Sequence, residues 1–250
     1  MYGIKIFFLL FGIGTLTGFI NVMAGGGSSL TLPLLIFLGL ESAVANGTNR
    51  VAIFLQNLSA LLSFRQEHMR EFKTSMKLAA FALPGAITGA IIAVRIDNYL
   101  FQKILGFVIL GVMLTIIVPR KNNWHSNGEH SPVHAWLIYP AIFIIGFYGG
   151  FMQVGTGFLM MAALSYILHM DLVRVNLHKV TIIGIYTVPA LLIFILSGDV
   201  NWFFGLSLAA GNAFGAWWSA KISIKKGEKV IRLVLVIAMI IMSLKLLQIF

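Results

Sequence analysis

The feature that most constrains this chain is a succession of long apolar runs separated by short polar stretches. A helix needs about 20 residues to cross a bilayer core, where free backbone groups find no water, so such runs must fold as helices. Only 10% of the residues are charged, against roughly a quarter in soluble domains. We predict an all-α integral membrane protein with one transmembrane domain over residues 1–250. The predicted segments are 3–24, 29–40, 45–64, 76–95, 103–119, 134–152, 157–169, 175–197, 202–222 and 229–249.

The net charge of +10 raises the question of a nucleic-acid partner. The basic residues, however, cluster at 65–73, 119–121 and 221–232, each between apolar runs. This is typical of cytoplasmic loops that face anionic lipid. We therefore expect membrane lipid as a partner and no nucleic acid.

Two of the predicted segments are too short to cross a bilayer. Segments 29–40 and 157–169 are about a dozen residues long, and each follows a glycine-containing break, "AGGGSS" in one case and "VGTG" in the other. The pattern predicts two half-helices.

The two breaks occupy equivalent positions in an internal duplication. A shift of 130 residues aligns Gly25 with Gly155, Glu41 with Asp171, and "ALLSF" with "ALLIF". Chance would align apolar residues, but not glycines and acidic residues at one offset. We predict a first repeat at about 1–119, a linker at about 120–133 and a second repeat at about 134–250.

Each repeat contains five predicted segments, so the second should begin on the opposite side of the membrane. The basic stretch 65–77 aligns with 197–201, which has no Lys or Arg. This reversal of charge is what inverted-topology repeats predict under the positive-inside rule. The loops at 65–77, 120–133 and 221–232 are then cytoplasmic, and both termini lie outside.

A broken helix offers free N–H groups and a partial positive charge at the start of its second part, where an anion can bind. Both breaks precede a half-helix, and their glycines let a ligand approach the backbone. We expect residues 25–29 and 155–157 to lie close together near the midplane of the membrane. The alternative is that the glycines only let helices pack closely. The predicted substrate-binding residues at the breaks are Gly25, Gly26, Gly27, Ser28, Ser29, Gln153, Gly155, Thr156 and Gly157.

A second group of polar residues lies within the predicted spans, where such residues usually face a cavity or each other. Arg50 and Lys179 are candidates to balance an anion; alternatively they reach the headgroups or pair with Glu41 or Asp171. His178 is a candidate proton carrier or a structural hydrogen-bonding group. The predicted site residues of this group are Asn46, Thr48, Asn49, Arg50, Asn176, His178 and Lys179, with Gln56, Asn57, Tyr186 and Thr187 nearby in sequence.

These residues carry a resemblance to a known family. "AGGGSSLTLPLL" followed by "GLESAVANGTNRVAIFLQNLSALLSF" resembles the first half of the sulfite exporter TauE/SafE family of bacterial inner-membrane transporters, and "GFYGGFMQVGTGF" with "VNLHKVTIIGIYTVPALLIFILSGDVNW" resembles its second half. The resemblance implies transport of small sulfur-containing or carboxylated organic anions, typically outward. The family's "GPGTG"-like turn reads "QVGTG" here, with Gln153 and Val154 at its first two positions.

Other function classes find less support in the sequence. No HExxH, GxSxG or paired intramembrane acids indicate an enzyme, and the absence of cysteine excludes thiolate metal sites. No GxxxxGK[ST] motif indicates pumping by ATP, so we expect a carrier that uses the proton gradient. An anion channel remains an alternative, and the oligomeric state is open. We expect no cofactor and no metal, although His125, His130 and His134 lie in a stretch that is either a solvated linker or a weak metal site.

Overall fold

The computed structural model describes residues 2–117 and 132–226, and in that part of the chain all regular structure is helical. The apolar runs form helices as their composition predicts, and the described protein is an all-α membrane protein. A short 3-10 helix, Pro132–Leu137, precedes the sixth helix. The helices are α1 (Tyr2–Ala24), α2 (Ser28–Phe37), α3 (Ser42–Ser63), α4 (Arg65–Ala93), α5 (Asn98–Ile117), α6 (Ile138–Phe151), α7 (Thr156–Ile167), α8 (Leu172–Leu196) and α9 (Trp202–Lys226).

The predicted half-helices are confirmed as α2 and α7, with 10 and 12 residues. The prediction of a loop at 65–77 is wrong, because this stretch forms the first turns of α4. The stretch leads without a break into the buried Leu78 and Ala79 of the same helix, and exposed basic residues are compatible with a helix that extends beyond the lipid. Likewise, residues 221–226 belong to α9. The tenth segment, most of the linker, His125 and His130 lie outside the described residues.

Three described helices are both long and apolar enough to cross a membrane: Gly3–Ala24, Glu71–Ala93 and Leu172–Leu196. Helices α3 and α9 have 22 and 25 residues but contain more polar side chains. Many of these polar side chains are buried inside the protein, as the cost of exposing them to lipid requires.

Contacts between helices show which helices run in the same direction. Helices α1 and α9 are parallel, since Gly211 lies against Phe11 and, one turn later in both helices, Gly215 lies against Thr15. Helix α3 also runs parallel to α9, because Ser59 bonds the carbonyl of Ala213 and Ser63 that of Trp217. Helix α4 is parallel to α6, because Gly85 lies against Phe143 and Gly89 against Phe147. It is also parallel to α8, because Glu71 pairs with Arg174 and Ser75 bonds His178.

Helices α3 and α8 run antiparallel. The beginning of α3 meets the turn after α8, where the N–H of Asn201 donates to Thr48 Oγ1, and Asn57 lies further along against Gly184. Therefore α1, α3 and α9 point one way, and α4, α6 and α8 the other. The 130-residue shift pairs α1 with α6, α3 with α8 and α4 with α9, and each pair is oppositely directed. This arrangement is compatible with the predicted inverted-topology repeats.

At each break the chain reverses direction instead of continuing along the preceding helix. Gly27 packs against the Thr17 carbonyl of α1, and Leu35 of α2 shares an apolar cluster with Leu10, so α2 returns alongside α1. Helix α7 returns in the same way to the 3-10 helix before α6. We call α1–α2 the first hairpin and α6–α7 the second hairpin.

The parallel pairs α1–α9 and α4–α6 approach closely through glycines spaced four residues apart. A Cβ on Gly18 would lie 2.3 Å from the Asn212 carbonyl oxygen, and one on Gly89 would lie 2.1 Å from that of Phe147. Small residues at this spacing are the usual means of close helix packing in membranes. The two hairpins are thereby held against the long helices.

Charge separates the two ends of the helix bundle. The end where α4 and α8 begin and α9 finishes carries four bases among the described side chains, Lys73, Lys77, Arg174 and Lys221, against two acids, Glu71 and Asp171, and we call it the basic face. At the opposite end, three acids match three bases in number: Glu41, Asp97 and Asp199 with Lys5, Arg95 and Lys103. The positive-inside rule predicts that the basic face is cytoplasmic.

This orientation predicts the labelling of single cysteines, for which a chain without native cysteine is well suited. Lys73→Cys on the basic face and Ser197→Cys at the opposite end replace exposed residues. A membrane-impermeant maleimide should label Ser197→Cys in intact cells, and Lys73→Cys only after the membrane is permeabilised. Labelling of both variants from the same side would contradict the orientation.

Candidate functional site

The two breaks meet in the folded protein, as the sequence predicts. A Cβ on Gly25 would come within 2.3 Å of the carbonyl carbon of Gly157. The Ser28 hydroxyl donates to the Gln153 carbonyl at 3.0 Å and accepts from the Gly155 N–H at 3.2 Å. Because the contact joins backbone to backbone, these glycines provide the close packing that was the alternative interpretation.

The remaining break residues also pack at the hairpin tips. Gly26 lies against the ring of Phe158, and the Ser29 hydroxyl donates back to the Gly26 carbonyl. The reversals use left-handed backbone, with φ of 86° at Gly25 and 69° at Gly155. Glycine takes such angles without the steric cost that a Cβ imposes.

Gln153 has a φ of 61°, an unusual value for a residue with a side chain. Its side chain is buried and bonded on both sides: Oε1 accepts from Arg50 Nη1 at 3.3 Å, and Nε2 donates to Thr187 Oγ1 at 3.2 Å. These bonds oppose the strain of the backbone. The departure from the family's turn therefore places a polar side chain in the centre of the protein.

The C-terminal end of α6 is buried, and side chains of α3 satisfy its carbonyls. Asn46 Nδ2 donates to the Phe151 carbonyl at 2.7 Å, and Arg50 donates to the carbonyls of Gly149, at 3.1 Å, and Gly150. The last carbonyls of a helix lack intrahelical partners, and a cation there also balances the helix dipole. Arg50 is therefore a cap for the second hairpin.

Lys179 of α8 caps the first hairpin in the corresponding way. Its Nζ donates to the carbonyls of Val22 at 2.6 Å and Asn21 at 3.2 Å, and to Asn176 Oδ1 at 2.8 Å. An ammonium group has three hydrogens, so these oxygens account for its donors. Neither Lys179 nor Arg50 is exposed, and among the described residues neither pairs with Glu41 or Asp171.

Arg50 differs from Lys179 because part of its guanidinium remains without a partner. Its Nε is buried and makes no hydrogen bond in the described structure, and the same holds for Thr156 Oγ1 and Tyr186 Oη. All three side chains surround Gly149: a Cβ there would meet Tyr186 Oη at 2.4 Å and Thr156 Cγ2 at 3.0 Å. On α3, Asn49 Nδ2 is a fourth such atom, although Asn49 Oδ1 accepts from Thr31 at 2.7 Å.

Two predicted site residues lie away from the hairpin tips. Thr48 accepts the Asn201 N–H at 2.9 Å, at the end opposite to the basic face. His178 lies towards the basic face between Ser75 and Glu71. The other predicted residues are brought together around the two tips.

Tyr186 and Thr187 were noted as polar residues in a span but not predicted as site residues. The signal that could have found Tyr186 is its equivalence with Gln56 under the 130-residue shift. Gln56 itself joins three helices, since its Oε1 accepts from Asn21 at 3.1 Å and from Asn212 at 3.4 Å.

Among the described residues, no group of three or more His, Asp or Glu is arranged to hold a metal ion.

A bundle of apolar helices with two hairpins meeting at a buried polar centre is compatible with a membrane transporter, and comparison with known proteins identifies this class. The family model for the sulfite exporter TauE/SafE matches residues 10–246. The chain belongs to this family.

Curated relatives resemble the chain over nearly its whole length. It is 29% identical to a "Probable membrane transporter protein" of Haemophilus influenzae, covering 97% of this chain and 95% of the relative. It is 28% identical to the "Probable membrane transporter protein YfcA" of Escherichia coli K12, covering 96% of this chain and 88% of the relative. No solved structure matches.

The contact between the tips predicts unequal effects of two glycine substitutions. Gly25 and Gly39 both have positive φ, but a Cβ on Gly39 meets nothing within 4 Å. Gly39→Ala should cost about 1–2 kcal/mol of backbone strain, whereas Gly25→Ala adds a clash with the backbone at Gly157 and should cost clearly more. Thermal unfolding of the purified variants measures this difference, and equal losses would argue against a tight contact between the tips.

Proposed function

We propose that this protein is a multi-pass secondary transporter of the inner membrane that exports small sulfur-containing or organic anions, of sulfite, sulfonate or carboxylate type, by using the proton gradient. The observation that carries the proposal is a group of buried donor atoms beside Arg50 that make no hydrogen bond of normal length: Thr156 Oγ1 and Tyr186 Oη, which face each other, and Arg50 Nε. Each can donate a hydrogen bond. We call this group the donor cluster.

Unpaired donors inside a protein are costly, so a group of them calls for an explanation. An anion explains it, because oxygen atoms of a sulfite, sulfonate or carboxylate accept several such bonds at once. Thr156 is also the first residue of α7, so the partial positive charge of that helix N-terminus adds to the attraction.

The charge of the centre supports an anion over a cation. Arg50 and Lys179 are both fully buried, and no described ion pair neutralises either of them. They are balanced by the partial charges of carbonyls and, at Arg50, by the ring of Phe194 at 4.7 Å, and a bound anion would complete this balance. The donor cluster lies on the Arg50 side, because the donors of Lys179 are already used.

The test removes single oxygen atoms of the donor cluster while keeping the shape of the side chain. Thr156→Val and Tyr186→Phe delete hydroxyls that make no hydrogen bond of normal length, so thermal stability without ligand should fall little. Loss of one charge-assisted hydrogen bond costs about 1.5–3 kcal/mol, so each variant should bind its anion roughly ten- to a hundredfold more weakly. Binding is measured on purified protein with sulfite, methanesulfonate and acetate.

Thr181→Val is the matched control, because the Thr181 hydroxyl donates to the Leu177 carbonyl of its own helix. It should bind anions like the wild type. Flux in proteoliposomes should saturate with anion concentration, whereas flux that rises linearly would indicate a channel. Normal binding by Thr156→Val and Tyr186→Phe would refute the donor cluster as the site, and movement of a neutral or cationic solute alone would refute the function.

A further inference from the structure

A separate polar cluster links α4 and α8 near the basic face. The His178 side chain is completely buried, and its Nδ1 lies 2.8 Å from Ser75 Oγ. Its Nε2 lies 3.4 Å from Glu71 Oε2 without making a hydrogen bond, while the other oxygen of Glu71 pairs with Arg174 at 2.8 Å. The Glu71 side chain is 22% exposed and that of Arg174 51%, so the cluster extends from a buried imidazole to water.

The hydrogen bonds of this cluster suit an imidazole with or without its second proton. The Ser75 hydroxyl can donate to His178 Nδ1 when the ring is neutral. When the ring is protonated, Nδ1–H donates to Ser75 Oγ, and the hydroxyl turns to the Glu71 carbonyl at 3.3 Å. The Glu71 carboxylate then faces the cation at Nε2. Neither state therefore leaves Nδ1 or the hydroxyl unpaired, and the carboxylate near Nε2 offsets part of the cost of a buried charge.

The charged groups that face His178 carry a net negative charge of one. Those that face it are Glu71 from α4 and, on its own helix, Arg174 and Asp171. Asp171 accepts the N–H groups of Val173 and Arg174 as the N-cap of α8. Lys179 is adjacent in sequence, but its Nζ bonds to α1. Two carboxylates and one fixed cation therefore surround a ring that is uncharged until it binds a proton.

The equivalent position in the other repeat has no titratable group. The 130-residue shift pairs His178 with Thr48 and Glu71 with Asn201. These two residues also meet, but through a hydrogen bond from the Asn201 N–H to Thr48 Oγ1 at 2.9 Å. The contact between helices is thus present at both ends of the bundle, and only at the basic face is it built from a histidine and a carboxylate. Helix contact alone does not require that pair.

We propose that His178, with Glu71 and Ser75, is the proton-binding site that couples this transporter to the proton gradient; the inference rests on the proposed transport function. His178 is the only one of these residues that gains the proton, and Glu71 stabilises the resulting cation. The next residue, Lys179, donates hydrogen bonds to the last carbonyls of α1, at the tip of the first hairpin. A change in how α8 packs on α4 is thereby passed directly to a hairpin tip.

The transport experiment compares two modes in proteoliposomes containing the full chain and sulfite. Exchange of labelled for unlabelled sulfite at equal pH needs no net proton movement, whereas accumulation driven by a pH gradient does. For one coupled proton, wild type should accumulate sulfite about tenfold per unit of pH difference. His178→Gln should keep exchange and lose the gradient-driven accumulation. Accumulation by His178→Gln equal to that of wild type would overturn the inference.

Two further variants provide a second test and a control. Glu71→Gln keeps the size of the side chain and should weaken proton binding, so that accumulation falls but exchange continues. His169→Asn removes an exposed histidine and should behave as wild type, because Asn tolerates the positive φ of 51° at that position. Loss of accumulation in His169→Asn as well would overturn the assignment to His178.

A direct measurement of proton binding separates this inference from the proposed function. In protein labelled with ¹⁵N-histidine, one imidazole signal should be absent from His178→Gln and should shift in the wild type as the pH is lowered. If the wild type moves no anion, the proposed function fails, yet a titrating His178 still supports the proton site. If this signal does not titrate, the inference fails even when transport of anions is intact.

Discussion

The structure depends on how two helix ends are satisfied inside a membrane protein. Helices α1 and α6 finish within the protein, where their last carbonyls have no water to bond. Lys179 supplies hydrogen bonds to the first hairpin and Arg50 to the second. Each cation comes from the opposite repeat, so neither hairpin is complete by itself. This exchange ties the two repeats together at the point where the tips meet.

The two repeats use the same scaffold for different purposes. All donors of Lys179 are used in capping, whereas Arg50 keeps one donor beside the unpaired hydroxyls of Thr156 and Tyr186. Where α3 meets the residue before α9, the Asn201 N–H donates a hydrogen bond to Thr48. The equivalent contact between α4 and α8 contains His178 and Glu71. The arrangement is compatible with two inverted repeats, and the positions at which the two halves differ are those where we propose that ligands and protons bind.

Much of the fold could be predicted from residue patterns because lipid leaves few choices. Long apolar runs must be helices, and the short segments after the glycine breaks could only be partial ones. The meeting of Gly25 with Gly157 also followed from their equivalent positions. The boundary at 65–77 was missed, since a basic stretch outside the lipid can be a loop or a helix with the same composition. The reversal of the chain at each break depends on φ angles that glycine permits but does not impose.

By itself, the sequence determined the class of protein, most of its helices and many of the residues that gather near the centre. Only the tertiary structure decided which of those residues remain free to bind. Arg50 and Lys179 look alike in sequence, since each is a basic residue in one of two equivalent apolar segments. The hydrogen-bond partners of Arg50 lie about 100 positions away in the chain, and one partner of Lys179 lies 158 positions away. Hydrogen bonding is short-ranged and directional, so the packing of the hairpins assigns the donors of each cation, and no local pattern can.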